Sequence, residues 1–228
     1  MMYDLLLQLP LFQGMSQEQL TLVLEKVPFH FKKFRPNEYL IHEGDACNEI
    51  IFVLSGRVRM VTPVFKNTIL IAEDYQAPHN IPYNNLFGTE TVTRSSVFAQ
   101  GQVGAMFLDK AGFLKILETN RIMLVNVLNF LSANAQRHYR SIDILGETNH
   151  DMRIASWLLN YTSFSATNIV VDAEVKDWCS LLNMSNNDYQ RAVKTLEAEG
   201  CLEAQEGKLK LTDRYGLRTF VSRNKAQE

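Results

Sequence analysis

The side chains best suited to chemistry stand together near the C-terminus, in "SNNDYQR", Ser185 to Arg191. A hydroxyl, several amides and a guanidinium make a hydrogen-bonding set rather than a catalytic one. An asparagine can pair bidentately with adenine N6 and N7, and an arginine with guanine O6 and N7. Catalytic sets are scarce elsewhere. No His-x-His pair and no spaced carboxylates stand on the strand-like segments, so an enzyme is not expected. The cysteines Cys47, Cys179 and Cys201 are far apart and odd in number, which fits neither a disulfide framework nor a CxxC metal site. Free thiols in a reducing cytoplasm are the expectation.

The elements that must position these groups follow from the rest of the chain. Its 228 residues suffice for one large domain or two small ones, and at 46% hydrophobic they can bury an ordinary core. A net charge of −2 argues mildly against a strongly basic nucleic-acid binder. No apolar run reaches the ~18 residues of a membrane span, and "MMYDLLLQLP" lacks the basic region and cleavage site of a signal peptide. Ser16 with Gln19 three residues on predicts a capping box and a short helix. From Phe29 to about Phe107, short segments such as "PFHFKKF", "NEIIFVLSG", "RVRMVTP" and "SSVFAQG" are punctuated by Pro, Gly, Asn and Asp. That spacing predicts an antiparallel sandwich or barrel. Between the turn dipeptides Gly44-Asp45 and Ser55-Gly56, "EIIFVL" is too apolar for a half-exposed strand and predicts one buried on both faces. A closed β structure of this kind can enclose a small ligand.

Residues 113–146 contain no proline and, before Gly146, no glycine. Steps of three and four from Leu114 reach Leu117, Arg121, Leu124, Leu128, Leu131, Ala135, His138, Ile142 and Leu145, a heptad seam. Met123, Val127 and Phe130 form a second apolar stripe. One stripe could pack on the barrel while the other meets a partner helix. The expected helix runs from about Asn120 to Leu145, with Leu124, Leu128, Leu131, Ala135 and Ile142 as a two-fold dimer seam. The final third is helical again. "DMRIASWLLNY" predicts one helix, and two more flank "NMS", the second opened by Ser185 and ended by Gly200. "CLEAQEGKLKL" predicts a hairpin with Glu206-Gly207 at its tip. Helix, short turn, helix and small hairpin is the winged variant of the helix-turn-helix.

This order resembles the CRP/FNR family of bacterial transcription regulators over nearly the whole chain. The glycine spacing from Gly44 to Gly56, with "FVLSGRVR", is similar to the family's cyclic-nucleotide-binding β-roll, and "LFQGMSQEQL" is similar to its start. The resemblance implies an α+β fold. A β-roll, jelly-roll-like, with the long dimerisation helix would occupy 1–146, and a winged helix-turn-helix would occupy 147–228. It implies a cytoplasmic homodimer with double-stranded DNA as partner, and RNA polymerase as a further one. It also carries a ligand cassette: Phe-Gly-Glu, a helical turn, then Arg-Ser/Thr, with the glutamate on ribose and the arginine on phosphate. Here Arg94-Ser95-Ser96 stands in the second half. "LFG", residues 86–88, fits either half. Read as the first, it offers Thr89 for Glu; read as the turn, it leaves Tyr83 or Asn84 in the glutamate's place. The effector candidates are therefore Tyr83, Asn84, Arg94 and Ser95. With the ribose grip missing, cyclic AMP is not expected, and no other cofactor is assigned. An iron–sulfur sensor would need four cysteines, and only Cys47 lies in the sensor half. His79 is the one candidate for a haem ligand. His30 and His42 read as ordinary strand histidines, and His138 as a polar residue on the seam.

In a helix-turn-helix the start of the second helix enters the major groove. The resemblance places Asn186, Asn187 and Arg191 at the base-reading positions, and Gln190 lies on the same face. Phosphate contacts are expected from Ser185, Lys194 and the wing residues Lys208 and Lys210, with Arg214 a further member of a basic stripe. Two features stand against this. Asp188 lies near the expected backbone path and would repel phosphate unless it caps the helix. Residues 147–228 also hold 10 Lys and Arg against 12 Asp and Glu. The alternative is a ligand-binding or protein-interaction module whose helix-turn-helix does not bind DNA.

Overall fold

The computed structural model describes residues 2–225. Two compact units divide the chain. One is built from the chain up to Met60 with Tyr75–Asn134, the other from Val61–Asp74 with the chain from Ala135 onward.

The first unit opens with α1 (Met2–Leu7), a 3-10 turn at Pro10–Phe12, and α2 (Gln17–Lys26). The capping box forms as expected. Ser16 Oγ accepts from the Gln19 amide at 3.2 Å, and Gln19 Oε1 accepts from the Ser16 amide at 2.9 Å. Eight strands follow along the chain, of which the end of β4 and most of β5 belong to the second unit: β1 (His30–Phe34), β2 (Tyr39–Ile41), β3 (Glu49–Ser55), β4 (Arg57–Val64), β5 (Ile69–Gln76), β6 (His79–Asn80), β7 (Ser96–Ala99) and β8 (Val103–Asp109). One antiparallel sheet has the order β1-β8-β3-β6, with Ile51 opposite Phe107 and Phe52 opposite Met106. On the other sheet β2, β7 and β4 run side by side. The fold is the mixed one expected, antiparallel sheets followed by helices.

The segment "EIIFVL" is β3, and Ile50, Ile51, Phe52 and Val53 are all buried, on both faces of the strand. The turn after it admits only glycine. Gly56 has φ +88°, and a Cβ there would lie 2.2 Å from the Gln102 carbonyl oxygen. Phe52, Met106 and Leu108 from the sheet meet Leu6, Phe12 and Leu20 from the first helices in one core.

After β8 come α3 (Lys110–Thr119) and α4 (Arg121–Gly146). The two are separate helices. Asn120 leaves the helical region at φ −125°, and its Oδ1 accepts from the Met123 amide at 3.0 Å, capping α4. This shortens the seam read from the sequence. Leu114 and Leu117 belong to α3, and Leu117 is buried in the first core. Along α4 the two stripes separate as expected. Met123 and Val127 are buried and Phe130 packs against them, whereas Leu124, Leu128, Leu131, Ile142 and Leu145 are exposed. The 26 residues of α4 span about 39 Å at ~1.5 Å per residue.

The second unit contains α5 (His150–Tyr161), β9 (Asn168–Asp172), α6 (Val175–Leu182), α7 (Asn186–Ala198), β10 (Leu202–Gln205), β11 (Lys208–Leu211) and α8 (Arg214–Lys225). Its small sheet is larger than a wing alone. β10 pairs with β11, β11 with β9, and β9 with β5 over five positions from Leu70 opposite Asp172 to Asp74 opposite Asn168. Ile69 and Ile71 are thereby buried with Trp157, Trp178, Tyr189, Leu196 and Leu209. For this reason the units are drawn differently from the 146/147 boundary: the outer half of the β4–β5 hairpin and the end of α4 pack with the C-terminal helices. Arg137 Nε donates to the Asn160 carbonyl at 3.0 Å, and Ile144 joins the second core.

Candidate functional site

Helices α6 and α7 are joined by a turn that several independent devices hold. α6 ends at Asn183, a left-handed residue at φ +48° and ψ 60°, and the Met184 amide donates back to the Cys179 carbonyl at 3.1 Å. Arg153, on α5 and buried, reaches into this turn. Its Nη1 donates to the Leu182 carbonyl at 2.6 Å and the Asn183 carbonyl at 3.0 Å, and its Nε to the Glu147 carbonyl at 2.7 Å. A charged donor thus satisfies carbonyls at the end of α6 that have no helical partner. Sequence reasoning missed this residue; the signal was a lone arginine inside the apolar run "MRIASWLL". Trp157 and Trp178 meet edge-on at 4.8 Å beneath the helices.

α7 divides cleanly. Tyr189, Ala192, Val193 and Leu196 are buried, with burial raising the Tyr189 phenol well above the ordinary tyrosine range. Asn186, Asn187, Gln190, Arg191 and Lys194 are all exposed on the opposite side. Asn187, Gln190, Arg191 and Lys194, with Thr195, line one shallow concavity. Ser185 caps the helix, its Oγ accepting from the Asp188 amide at 3.1 Å. The carboxylate of Asp188 is occupied as well. Oδ2 accepts from Ser185 Oγ at 2.7 Å, and Oδ1 from Arg191 Nη2 at 2.8 Å, with His150 Nδ1 at 3.4 Å from the same oxygen. The Ser185 hydrogen bond, then the charges of His150 and Arg191, hold this carboxyl below its ordinary range.

The wing is the β10–β11 hairpin, turning through Glu206 at φ +44° and Gly207 at φ +82°. Lys208 and Lys210 are exposed, but each is paired, Lys208 with Asp172 at 3.1 Å and Lys210 with Glu203 at 3.5 Å. Exposed pairs of this kind are weak and can yield to a phosphate. Arg214 does not join the basic stripe expected of it. Its Nη2 donates to the Leu159 and Thr162 carbonyls at 2.7 and 2.8 Å, closing the end of α5, and its guanidinium lies 4.2 Å from the Phe164 ring centroid.

In the first unit the effector candidates face different surroundings. Tyr83 is a core residue, 4.5 Å from Phe130 and 6.0 Å from Phe113 between ring centroids, and burial pushes its phenol up to about 12. Asn84 Oδ1 accepts from Asn134 Nδ2 at 3.0 Å. Arg94 is exposed and pairs with Glu90 at 2.8 Å, and Ser95 is half-buried beside it in sequence. His79 stacks on Tyr75 at 4.1 Å, and its Nε2 is buried without a hydrogen-bond partner among the described residues. Desolvation lowers its pKa to about 4. His30 pairs with Glu49 at 3.0 Å and His42 stacks on Tyr39 at 4.2 Å, whereas His138 is exposed. Among the described residues no group of His, Cys, Asp and Glu gathers to hold a metal ion, and no helix is long and apolar enough to cross a membrane.

A sheet-built domain, a long helix with one apolar stripe exposed and a capped winged helix-turn-helix together define a class. Residues 31–120 match the cyclic nucleotide-binding domain family. No curated protein matches the chain by sequence. Among solved structures, the catabolite activator protein of Thermus thermophilus is similar over 93% of this chain and 98% of its own, at 17% identity and a TM-score of 0.53. A CooA mutant from Carboxydothermus hydrogenoformans is similar over 90% and 92%, at 18% identity and a TM-score of 0.49. Residues 31–120 are thus similar to a cyclic nucleotide-binding domain, and the chain has the fold of the catabolite activator protein.

Proposed function

We propose that this chain is a homodimeric, DNA-binding transcription regulator of the CRP/FNR type, with a sensor in residues 1–146 and a reading head in residues 147–228. The observation that carries this is α7: a serine-capped helix, entered through a turn whose carbonyls Arg153 holds, that exposes Asn186, Asn187, Gln190, Arg191 and Lys194. Those are base-edge and phosphate donors at the end of the helix that enters a major groove. Ser185, Lys208 and Lys210 add phosphate contacts. The dimer is supported by the exposed seam Leu124, Leu128, Leu131, Ala135 and Ile142, which a second copy would cover. Half-sites then lie about one DNA turn apart, ~34 Å. A signal in the β-roll shifts the packing of α4 and so biases one of two arrangements of the heads. Cyclic AMP is not that signal, because the ribose-binding glutamate is missing and Arg94 is already paired with Glu90. No metal or cofactor is assigned, the protein is not an enzyme, and it works in the cytoplasm, with RNA polymerase as a further partner.

A second reading, an interaction module that does not bind DNA, is favoured by the pairing of both wing lysines with carboxylates. Titration of the full-length protein with duplex DNA at two salt concentrations separates the two. The regulator binds selectively and its affinity falls steeply with salt; Arg191→Ala removes the selectivity. Weak binding, unselective at both salt concentrations, leaves the module.

A further inference from the structure

Asp188 is an acidic residue on the helix face that would approach DNA, and its neighbours give it a role. Both carboxylate oxygens are engaged, Oδ2 by Ser185 Oγ at 2.7 Å and Oδ1 by Arg191 Nη2 at 2.8 Å. His150 Nδ1 stands 3.4 Å from Oδ1 on the side of α5. The carboxylate is thus held from three directions, with a side chain 28% exposed, while that of Arg191 is 68% exposed. An exposed ion pair of this spacing contributes little to folding. Its consequence is geometric. A guanidinium carries five N–H donors in one plane, so a single oxygen at Nη2 leaves donors open for a bidentate acceptor.

We propose that Asp188 is a positioning residue for Arg191, holding the guanidinium beside Asn187 and Gln190 so that its open edge meets guanine O6 and N7. This rests on the DNA-reading function above. An arginine free to swing would satisfy any nearby phosphate, which carries no sequence information. An arginine tied to a carboxylate is ordered before binding and has less charge to offer a phosphate. The arrangement therefore weakens contact with arbitrary sequence and strengthens discrimination, since specificity is a difference of affinities.

The test uses the full-length protein and a random-sequence duplex library. The wild type is expected to enrich a half-site containing guanine. Asp188→Asn keeps the shape and the backbone cap. It is expected to bind mixed-sequence duplex more tightly, with a salt slope steeper by about 0.9 as Arg191 gains a phosphate. Discrimination at the guanine is expected to fall about two- to tenfold, the gain usual for ordering a flexible side chain in advance. In an Arg191→Ala background, Asp188→Asn is expected to leave the salt slope on mixed-sequence duplex unchanged, because its effect passes through Arg191. Matching circular dichroism and melting temperatures establish that the variants fold alike. Full discrimination retained in Asp188→Asn, or an equal steepening of the salt slope in the Arg191→Ala background, overturns the positioning role while leaving DNA reading intact. A wild type that enriches no sequence overturns DNA reading itself, and the positioning role falls with it.

Discussion

The buried ring of His79 makes the first unit acid-sensitive in a way that can be calculated. Its pKa drops from the ordinary 6.5 to about 4, and desolvation is the cause. The native state thus refuses a proton that the unfolded chain accepts. Above pH ~6.5 neither state is charged and nothing is lost; below it, stability falls as pH falls, and the loss levels off near pH ~4. The full displacement corresponds to about 3 kcal/mol. Between about pH 7 and pH 5, where few carboxylates titrate, it corresponds to about 2 kcal/mol. In urea that moves the midpoint by about 1 M. The assay is urea unfolding followed by far-UV circular dichroism at both pH values. Trp157 and Trp178 both lie in the second unit, so tryptophan fluorescence in the same samples monitors that unit as an internal control. His79→Phe keeps a ring against Tyr75 and has no group to protonate, so the pH shift in the first unit's unfolding is expected to disappear. If His79→Phe loses as much stability as the wild type between these pH values, His79 is not the responsible group.

Three further outcomes follow from the packing. Arg153→Met leaves the Leu182, Asn183 and Glu147 carbonyls without their charged donor, and fluorescence-monitored unfolding should show a loss of about 3 kcal/mol in the second unit. Gly56→Ala is expected to cost about 1–3 kcal/mol from backbone strain alone, with the collision at Gln102 added; a melting temperature equal to wild type would contradict the turn geometry. Leu128→Glu places a charge on the exposed seam of α4, and analytical ultracentrifugation should find a folded monomer where the wild type sediments as a dimer, because a lone carboxylate is costly to bury. An unchanged dimer would mean that copies meet elsewhere.

Local chemistry was legible in the sequence wherever neighbouring residues decide the conformation. The Ser16–Gln19 box, the turns at Gly44 and Gly56, the helix start at Ser185 and the hairpin at Glu206-Gly207 all depend on a few adjacent side chains, and all form as read. The apolar run of β3 was legible because burial on both faces leaves no alternation. Contacts between distant residues were not. Nothing in "NTILIAED" says that its partner will be "NIVVD", ninety or more residues on, because any alternating strand offers the same donors and acceptors. Arginines were misjudged for a related reason. Arg153 and Arg214 count as positive charge in the sequence, but their value here lies in several rigid donors aimed at backbone carbonyls, which only the fold brings within reach. The seam was overextended because one asparagine, Asn120, ends a helical repeat without glycine or proline.

The ladder between β5 and β9 makes the C-terminal half dependent on a loan from the middle of the chain. A fragment beginning at residue 147 would lack Ile69 and Ile71, each fully enclosed and worth roughly 1.5–3 kcal/mol. It would also leave β9 with a bare rim of amides and carbonyls along five residues, an invitation to pair with other copies. Excised at the obvious joint, the piece is expected to clump, whereas grafting residues 61–74 back beside it should keep it dispersed.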